Sequence, residues 1–97
     1  MIEKIGEAAM LEQLAEEASE LAQAALKLSR KIRRENPTPK TIEECKTNLR
    51  EEYTDVVQCA RELRLIPDEI QIRHKARRFK ERWENVYGTD KRPEKEM

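Results

Sequence analysis

Glycine, histidine and aromatic residues are scarce in this sequence, and each shortage argues against a class of site. With two glycines among 97 residues, the chain has no glycine-rich phosphate-binding loop of the Walker type. The lone histidine, His74, leaves no serine–histidine–acid arrangement and no histidine-containing zinc pattern. Aromatic residues make up 4% of the chain, whereas 41% is charged. Because Ala, Leu, Glu, Lys and Arg predominate, we expect an all-α protein built from amphipathic helices.

Cysteine and long apolar runs are also scarce. Cys45 and Cys59 lie on one predicted helix, too far apart along its axis for a disulfide, and are predicted to be buried free thiols. No apolar run approaches the roughly 20 residues that span a bilayer, and the N-terminus lacks a secretory signal, so we expect a cytoplasmic protein. Twenty basic residues balance twenty acidic ones, which leaves no overall field to attract nucleic acid or membranes.

Three segments have apolar residues at alternating steps of three and four, the period of a helix. The first helix begins near Ile2 or just after Gly6 and ends before two prolines in a turn at residues 36–40. Its predicted apolar stripe consists of Leu11, Leu14, Ala18, Leu21, Ala25, Leu28 and Ile32. The spacing therefore predicts a long first helix that enters a hairpin.

The second helix is predicted over about residues 42–64, because Thr41 and Glu44 have the spacing of a capping box. Its stripe consists of Ile42, Cys45, Leu49, Tyr53, Val56, Ala60 and Leu63. Asp68 is predicted to cap a third helix, whose stripe consists of Ile72, Ala76, Phe79, Trp83 and Val86. These patterns predict three principal helices per chain.

Residues 1–88 form one predicted helical domain, and Gly88 is placed to end the third helix. Residues 89–97 are charged and without periodicity, so we expect a disordered tail. A chain of this length buries a small core. We therefore expect a homodimer or homotetramer to complete the helical bundle.

Two pairs of carboxylates border or enter the predicted stripes. Glu17 and Glu20 are neighbours on one face of the first helix, and Glu52 takes a stripe position on the second, with Asp55 on the same face. The midpoint between the two pairs is residue 36, within the predicted turn. Antiparallel packing of the hairpin should therefore bring the four carboxylates to nearly equal height.

Such a density of like charge requires raised pKa values or a counter-cation. Hard oxygen ligands indicate Mg²⁺, with Mn²⁺ as a substitute, and Mg²⁺ commonly joins protein carboxylates to substrate phosphates. Lys75, Arg78 and Arg82 form a basic edge on the third helix that suits a polyphosphate, although a solvated helix face would show the same pattern. The pattern favours phosphate chemistry without selecting a reaction.

The two acidic motifs, EExxE at residues 16–20 and ExxD at residues 52–55, resemble those of the MazG-like all-α nucleoside triphosphate pyrophosphohydrolases. The resemblance covers about residues 7–87. It implies that Glu17, Glu20, Glu52 and Asp55 bind magnesium and that Glu16 is an additional acidic residue. Glu16 and Glu20 are both candidates for the general base. The basic edge would contact substrate phosphates.

The implied reaction converts a nucleoside triphosphate, NTP or dNTP, to the monophosphate and pyrophosphate, and the resemblance suggests removal of noncanonical nucleotides. The alternative is a non-enzymatic helical interaction module whose apolar stripes are subunit interfaces. That alternative explains the stripes but not the carboxylate at position 52 within one. DNA binding through the third helix is a weaker alternative, because its basic edge is short.

Overall fold

A computed structural model describes residues 1–35 and 39–87 of the chain. All regular structure in these ranges is α-helical: α1 at Ile2–Ile5, α2 at Glu7–Ile32, α3 at Ile42–Glu62 and α4 at Glu69–Tyr87. The predicted all-α fold with three principal helices is confirmed, and a short helix, α1, precedes them. Completion of the bundle by oligomerisation stays a prediction.

Polar caps begin α3 and α4 where the sequence predicts them. The Thr41 hydroxyl accepts a hydrogen bond from the Glu44 amide at 3.0 Å, and the Glu44 carboxylate accepts one from the Thr41 amide at 2.9 Å. The Asp68 carboxylate accepts from the amides of Ile70 at 2.9 Å and Gln71 at 3.1 Å. These bonds satisfy amides that have no partner within the helix, and so fix where each helix starts.

The ends of α2 and α3 use arginine where glycine is usual. Arg34 and Arg64 both have a positive φ, 61° and 57°. In each case the next amide reaches back to a carbonyl of the last turn, Glu35 to Arg30 at 2.9 Å and Leu65 to Ala60 at 2.9 Å. This is the bonding pattern of a Schellman motif, which ends a helix by satisfying its last carbonyls.

The short helix α1 is tied to the far end of the hairpin. The Ile2 amide donates a hydrogen bond to the Glu62 carboxylate at 3.1 Å, and the Met1 amino group lies 3.2 Å from the same carboxylate. Gly6, at φ 91°, separates α1 from α2 in a conformation that favours glycine. These contacts hold α1 beside the start of α2 and the end of α3.

The inward face of α2 is rotated by one residue from the prediction. Its buried and half-buried residues at steps of three and four are Met10, Leu14, Glu17, Leu21, Ala24, Leu28 and Lys31. Four predicted stripe members are wrong, since they are exposed: Leu11, Ala18, Ala25 and Ile32. Leu14, Leu21 and Leu28 belong to both the predicted and the observed stripe, so the apolar spacing is compatible with either. Packing against α3 instead selects the frame that contains Glu17.

The inward face of α3 follows the prediction more closely. Its buried and half-buried stripe is Cys45, Leu49, Glu52, Val56, Cys59 and Leu63. Glu52 takes the stripe position that the sequence assigns to it, whereas Ile42 and Tyr53 are exposed and their predicted burial is wrong. Both cysteines are buried free thiols, as predicted. Both cysteines lie on the inward face of α3, which packs against the inward face of α2. We call this packed contact between the two helices the seam.

The described chain divides into two compact units, Met1–Ile66 and the segment that starts at Pro67. The first contains α1, α2 and α3. The second contains α4, in which the rings of Trp83 and Tyr87 are in tilted contact with centroids 4.6 Å apart and no residue is buried. The prediction of a single domain over residues 1–88 stays a prediction.

Part of the predicted turn at residues 36–40 lies outside the described residues, as do Gly88 and the predicted tail at 89–97. Among the helices within residues 1–35 and 39–87, none has the length and apolar character required to cross a membrane.

Candidate metal centre

Three of the predicted carboxylates lie together on the α2–α3 hairpin. Glu17 and Glu20 on α2 and Glu52 on α3 each offer an oxygen, and these oxygens lie within 4.8 Å of one another. The hairpin thus brings residues from both acidic motifs to one point, as the sequence predicts. Their role as metal ligands stays a prediction.

Glu17 and Glu52 stand in the middle of the apolar seam. On α2, Glu17 lies seven residues from both Met10 and Ala24, and on α3 Glu52 lies seven residues from both Cys45 and Cys59. Those four neighbours are the only buried residues in the described ranges. Carboxylates therefore occupy the central layer of the seam, where apolar side chains occupy the layers on either side.

Each of these two carboxylates has an oxygen without a hydrogen-bond donor. Oε1 of Glu17 and Oε1 of Glu52 are buried and accept no hydrogen bond within the described part of the chain. The other oxygen of Glu17, Oε2, accepts a hydrogen bond from Nε2 of Gln13 at 2.8 Å. A buried carboxylate oxygen without a donor loses hydration and gains nothing in return, which is a costly arrangement for an apolar seam.

Mutual repulsion is the main electrostatic feature of this centre. The negative charge of Glu17 raises the pKa of Glu20 above its usual value, with smaller contributions from the charge of Glu52, partial loss of water and a hydrogen bond shared with Glu52. The charge of Asp55 acts in the same direction. A cation among these carboxylates would relieve the repulsion that raises this pKa.

Asp55 and Glu16 lie outside the group formed by the converging carboxylates of Glu17, Glu20 and Glu52. Asp55 is exposed and lies outside the group of three converging oxygens, yet its charge acts on both Glu20 and Cys59. Glu16 is exposed on α2 and also lies outside that group. The structure thus brings three of the five predicted acidic residues together and leaves Asp55 and Glu16 outside the group.

Cys59 closes one end of the acidic layer. Burial raises the pKa of its thiol, and the charges of Glu17, Asp55 and Glu62 raise it further. The thiol is therefore neutral at physiological pH, and a neutral thiol is a poor nucleophile and a poor metal ligand. Cys59 acts here as a small apolar side chain that limits the centre on the side toward α1.

The basic residues Lys75, Arg78 and Arg82 all lie on α4 and are exposed. Arg82 lines an open groove of about 330 Å³ together with Phe79, Trp83, Val86 and Tyr87. Since α4 belongs to the second compact unit, the predicted common height of these cations and the carboxylates stays a prediction.

Gln13 contacts one of the three converging carboxylates, and the sequence analysis did not single it out. Its spacing of four from Glu17 places the two side chains on the same helix face, and amide–carboxylate pairs at this spacing interact on helices. The signal was therefore present. It was overlooked because a glutamine in a charged helix is normally a surface residue.

The donor set suits a hard divalent cation. Three carboxylates supply only oxygen ligands, and two of their oxygens, on Glu17 and Glu52, are buried with no competing hydrogen bond in the ranges described. Mg²⁺ and Mn²⁺ prefer such ligands, whereas softer metals prefer thiolate or imidazole. The residues present thus fit Mg²⁺.

Comparison with known proteins identifies no relative for this chain: no family model, no curated protein and no solved structure matches it.

Proposed function

We propose that the chain is a Mg²⁺-dependent nucleoside triphosphate pyrophosphohydrolase. The observation that supports the proposal is the convergence of carboxylate oxygens from Glu17, Glu20 and Glu52 within 4.8 Å across two helices. Two of these carboxylates occupy seam positions where apolar residues would stabilise the hairpin better. A binding function accounts for carboxylates that packing alone does not favour.

In this proposal Glu17, Glu20, Glu52 and Asp55 hold Mg²⁺, with Mn²⁺ as a substitute. When bound, Mg²⁺ would polarise the substrate phosphate and neutralise charge that develops in the transition state. Three of these residues are the converging carboxylates, and Asp55 adds negative charge from the exposed edge.

The reaction proceeds by attack of water on the α-phosphorus of a nucleoside triphosphate. The α–β anhydride bond breaks, which yields the monophosphate and pyrophosphate. Glu16 and Glu20 are the candidates for the general base that accepts a proton from the attacking water. Glu20 is the candidate whose carboxylate lies within the converging group.

The basic residues of α4 are the proposed contacts for the substrate phosphates. Lys75, Arg78 and Arg82 would hold the charge of the departing pyrophosphate, and their full exposure leaves them accessible to a substrate. We further propose that the protein works in the cytoplasm as a homodimer or homotetramer. The apolar side chains that the chain leaves exposed support this assembly.

The test is a panel of canonical and modified NTPs and dNTPs incubated with the protein and Mg²⁺, with monophosphate and pyrophosphate measured directly. The expected result is formation of both products in equal amounts, abolished by a chelator and restored by Mg²⁺ or Mn²⁺. Release of orthophosphate alone, or an absence of turnover across the panel, would contradict the proposal.

A second candidate function is that of a non-enzymatic helical interaction module. Large apolar side chains exposed on α4 favour it, since Phe79 is 65% and Val86 is 73% exposed. This candidate predicts self-association or partner binding that is insensitive to Mg²⁺ and to substitution of Glu52. Loss of turnover on Glu52 substitution without loss of assembly would favour the enzyme.

A further inference from the structure

The carboxylate of Glu17 is held at one oxygen only. Nε2 of Gln13 donates to Oε2 at 2.8 Å in a partly buried position, while Oε1 is buried and accepts no hydrogen bond within the described residues. In a carboxylate that rotates freely, the two oxygens exchange places and are equivalent. The amide of Gln13 distinguishes them, because it occupies one and leaves the lone pairs of the other unused.

We propose that Gln13 is a positioning residue for the metal centre, one that orients the Glu17 carboxylate so that its free oxygen is available to a divalent cation. This inference rests on the proposed function. Gln13 does not itself contact the cation or the substrate; it acts through Glu17.

The chemistry of the amide suits this role better than a charged donor would. A lysine or arginine at position 13 could make the same hydrogen bond, but its positive charge would neutralise Glu17 and oppose the cation. A neutral amide fixes the carboxylate and leaves its negative charge for the metal. Hydrogen bonds of this kind, to residues that bind a metal, typically change metal affinity by about 10–100-fold.

The position of the pair also separates it from an ordinary surface pair. Gln13 and Glu17 are both half-buried on the inward side of α2, whereas Gln23 on the same helix is exposed. Water competes less for a hydrogen bond in the seam than on the outer surface, so the Gln13 bond restricts Glu17 more firmly.

The test measures binding of Mn²⁺ alone to the full chain by titration calorimetry, in the wild type and in Gln13→Met, which keeps the length of the side chain and removes the donor. We expect the Kd for Mn²⁺ to rise by about tenfold or more. The melting temperature of the metal-free protein should change little, and its rise on addition of Mn²⁺ should shrink. Gln23→Met is the matched control and should bind Mn²⁺ as the wild type does. Gln13→Ala serves as a second variant should the methionine disturb packing.

The Glu52→Gln variant distinguishes a failure of the metal centre from a failure of the positioning role of Gln13. If Glu52→Gln loses Mn²⁺ binding while Gln13→Met keeps wild-type affinity, the positioning role is wrong and the metal centre stands. If wild type and Glu52→Gln bind Mn²⁺ equally or not at all, the metal centre is wrong and the role of Gln13 falls with it. A lower metal-free melting temperature in Gln13→Met with unchanged Mn²⁺ affinity would make Gln13 a packing residue only.

Discussion

At the scale of single residues, Glu52 is the most informative side chain. The helical pattern of α3 calls for an apolar residue at this position, and the residue present is a carboxylate. Its side chain is half-buried in the α2–α3 seam, and its Oε1 has no hydrogen-bond donor within the part of the chain described. In a seam built only for stability, an apolar residue of similar size would pack there at lower cost. Packing alone therefore does not favour a carboxylate at this position.

Replacing Glu52 by Gln should abolish turnover, with a loss of more than about 100-fold, and should weaken Mg²⁺ binding, because the substitution removes a charged ligand. The fold should be retained, and the metal-free protein should be no less stable, since one repulsive charge disappears from the centre. Product release and Mg²⁺ titration measure the first effect, and urea denaturation measures the second. Glu51→Gln, which alters an exposed neighbour on α3, is the control. Wild-type activity in Glu52→Gln would remove this residue from the metal centre.

Glu20 gives the centre a pH dependence whose sign follows from its environment. Its pKa is raised above the usual 4.5, first by the charge of Glu17 and then by that of Glu52, so the native state holds the proton more tightly than the unfolded chain does. Between the two pKa values the native state binds more protons, and the free energy of unfolding falls as the pH rises.

The metal-free protein should therefore lose stability as the pH rises from about 4.5 through the raised pKa of Glu20. Urea midpoints measured in chelator across this window, relative to those of Glu20→Gln, should show the loss in the wild type only. Glu12→Gln, an exposed position of the same helix, should leave the pH dependence unchanged. A difference between wild type and Glu20→Gln that is constant with pH would contradict this assignment.

At the scale of elements, the start of α3 determines where Glu52 and Asp55 lie. The reciprocal bonds between Thr41 and Glu44 fix the first turn of this helix. Thr41→Ala should lower the free energy of unfolding by about 1 kcal/mol, because an amide at the helix start loses its acceptor. Urea denaturation measures the effect. Thr47→Ala, at an exposed position in the interior of α3, should not lower the free energy of unfolding, because alanine is the better helix former. Equal effects of the two substitutions would show that the cap contributes no stability.

The basic edge of α4 is expected to affect the binding of the substrate and not the stability of the fold. If Arg78 contacts phosphate, Arg78→Ala should raise KM for the nucleotide by about tenfold and leave Mg²⁺ affinity nearly unchanged, because the lost interaction is with the substrate. Arg77→Ala is the matched control on the same exposed helix. Steady-state kinetics and Mg²⁺ titration together measure the contrast, and identical KM values for wild type and Arg78→Ala would remove this residue from the site.

The starts of the helices could be predicted from the residue pattern more reliably than their ends or their rotation. The polar starts of α3 and α4 were predictable, because Thr41, Glu44 and Asp68 act locally on their own backbone. The ends at Arg34 and Arg64 were not, since the usual signal is glycine and the chain places arginine in the left-handed conformation instead. The frame of α2 was also beyond local reasoning, because apolar residues occur on both sides of Glu17.

At the scale of the whole molecule, the amount of exposed apolar surface is the main feature. Only four residues in the described ranges are buried, and large apolar side chains remain exposed on both compact units, among them Leu26 at 56% and Ile66 at 84% on the first and Phe79 at 65% on the second. A chain with so small a core has little hydrophobic stabilisation of its own.

We therefore expect self-association at micromolar concentration, with a melting temperature that rises with protein concentration. Sedimentation velocity over a hundredfold concentration range measures the first effect and calorimetric scans measure the second. Because burial of apolar surface drives the association, it should persist at high salt, whereas an assembly held by ion pairs would weaken. A monomer with cooperative unfolding and a concentration-independent melting temperature would contradict this expectation.

The sequence by itself determined the helices, the polar starts of α3 and α4, and which carboxylates of the two helices lie at similar height, because these depend on local spacing and on the symmetry of a hairpin about its turn. Only the tertiary structure decided that Glu17 faces the seam, that Glu17, Glu20 and Glu52 converge within 4.8 Å, and that Gln13 holds one oxygen of Glu17. The rotation of a helix about its own axis depends on the surface against which it packs. A periodic pattern with apolar residues in two adjacent frames leaves that rotation open, and contact with α3 fixes it.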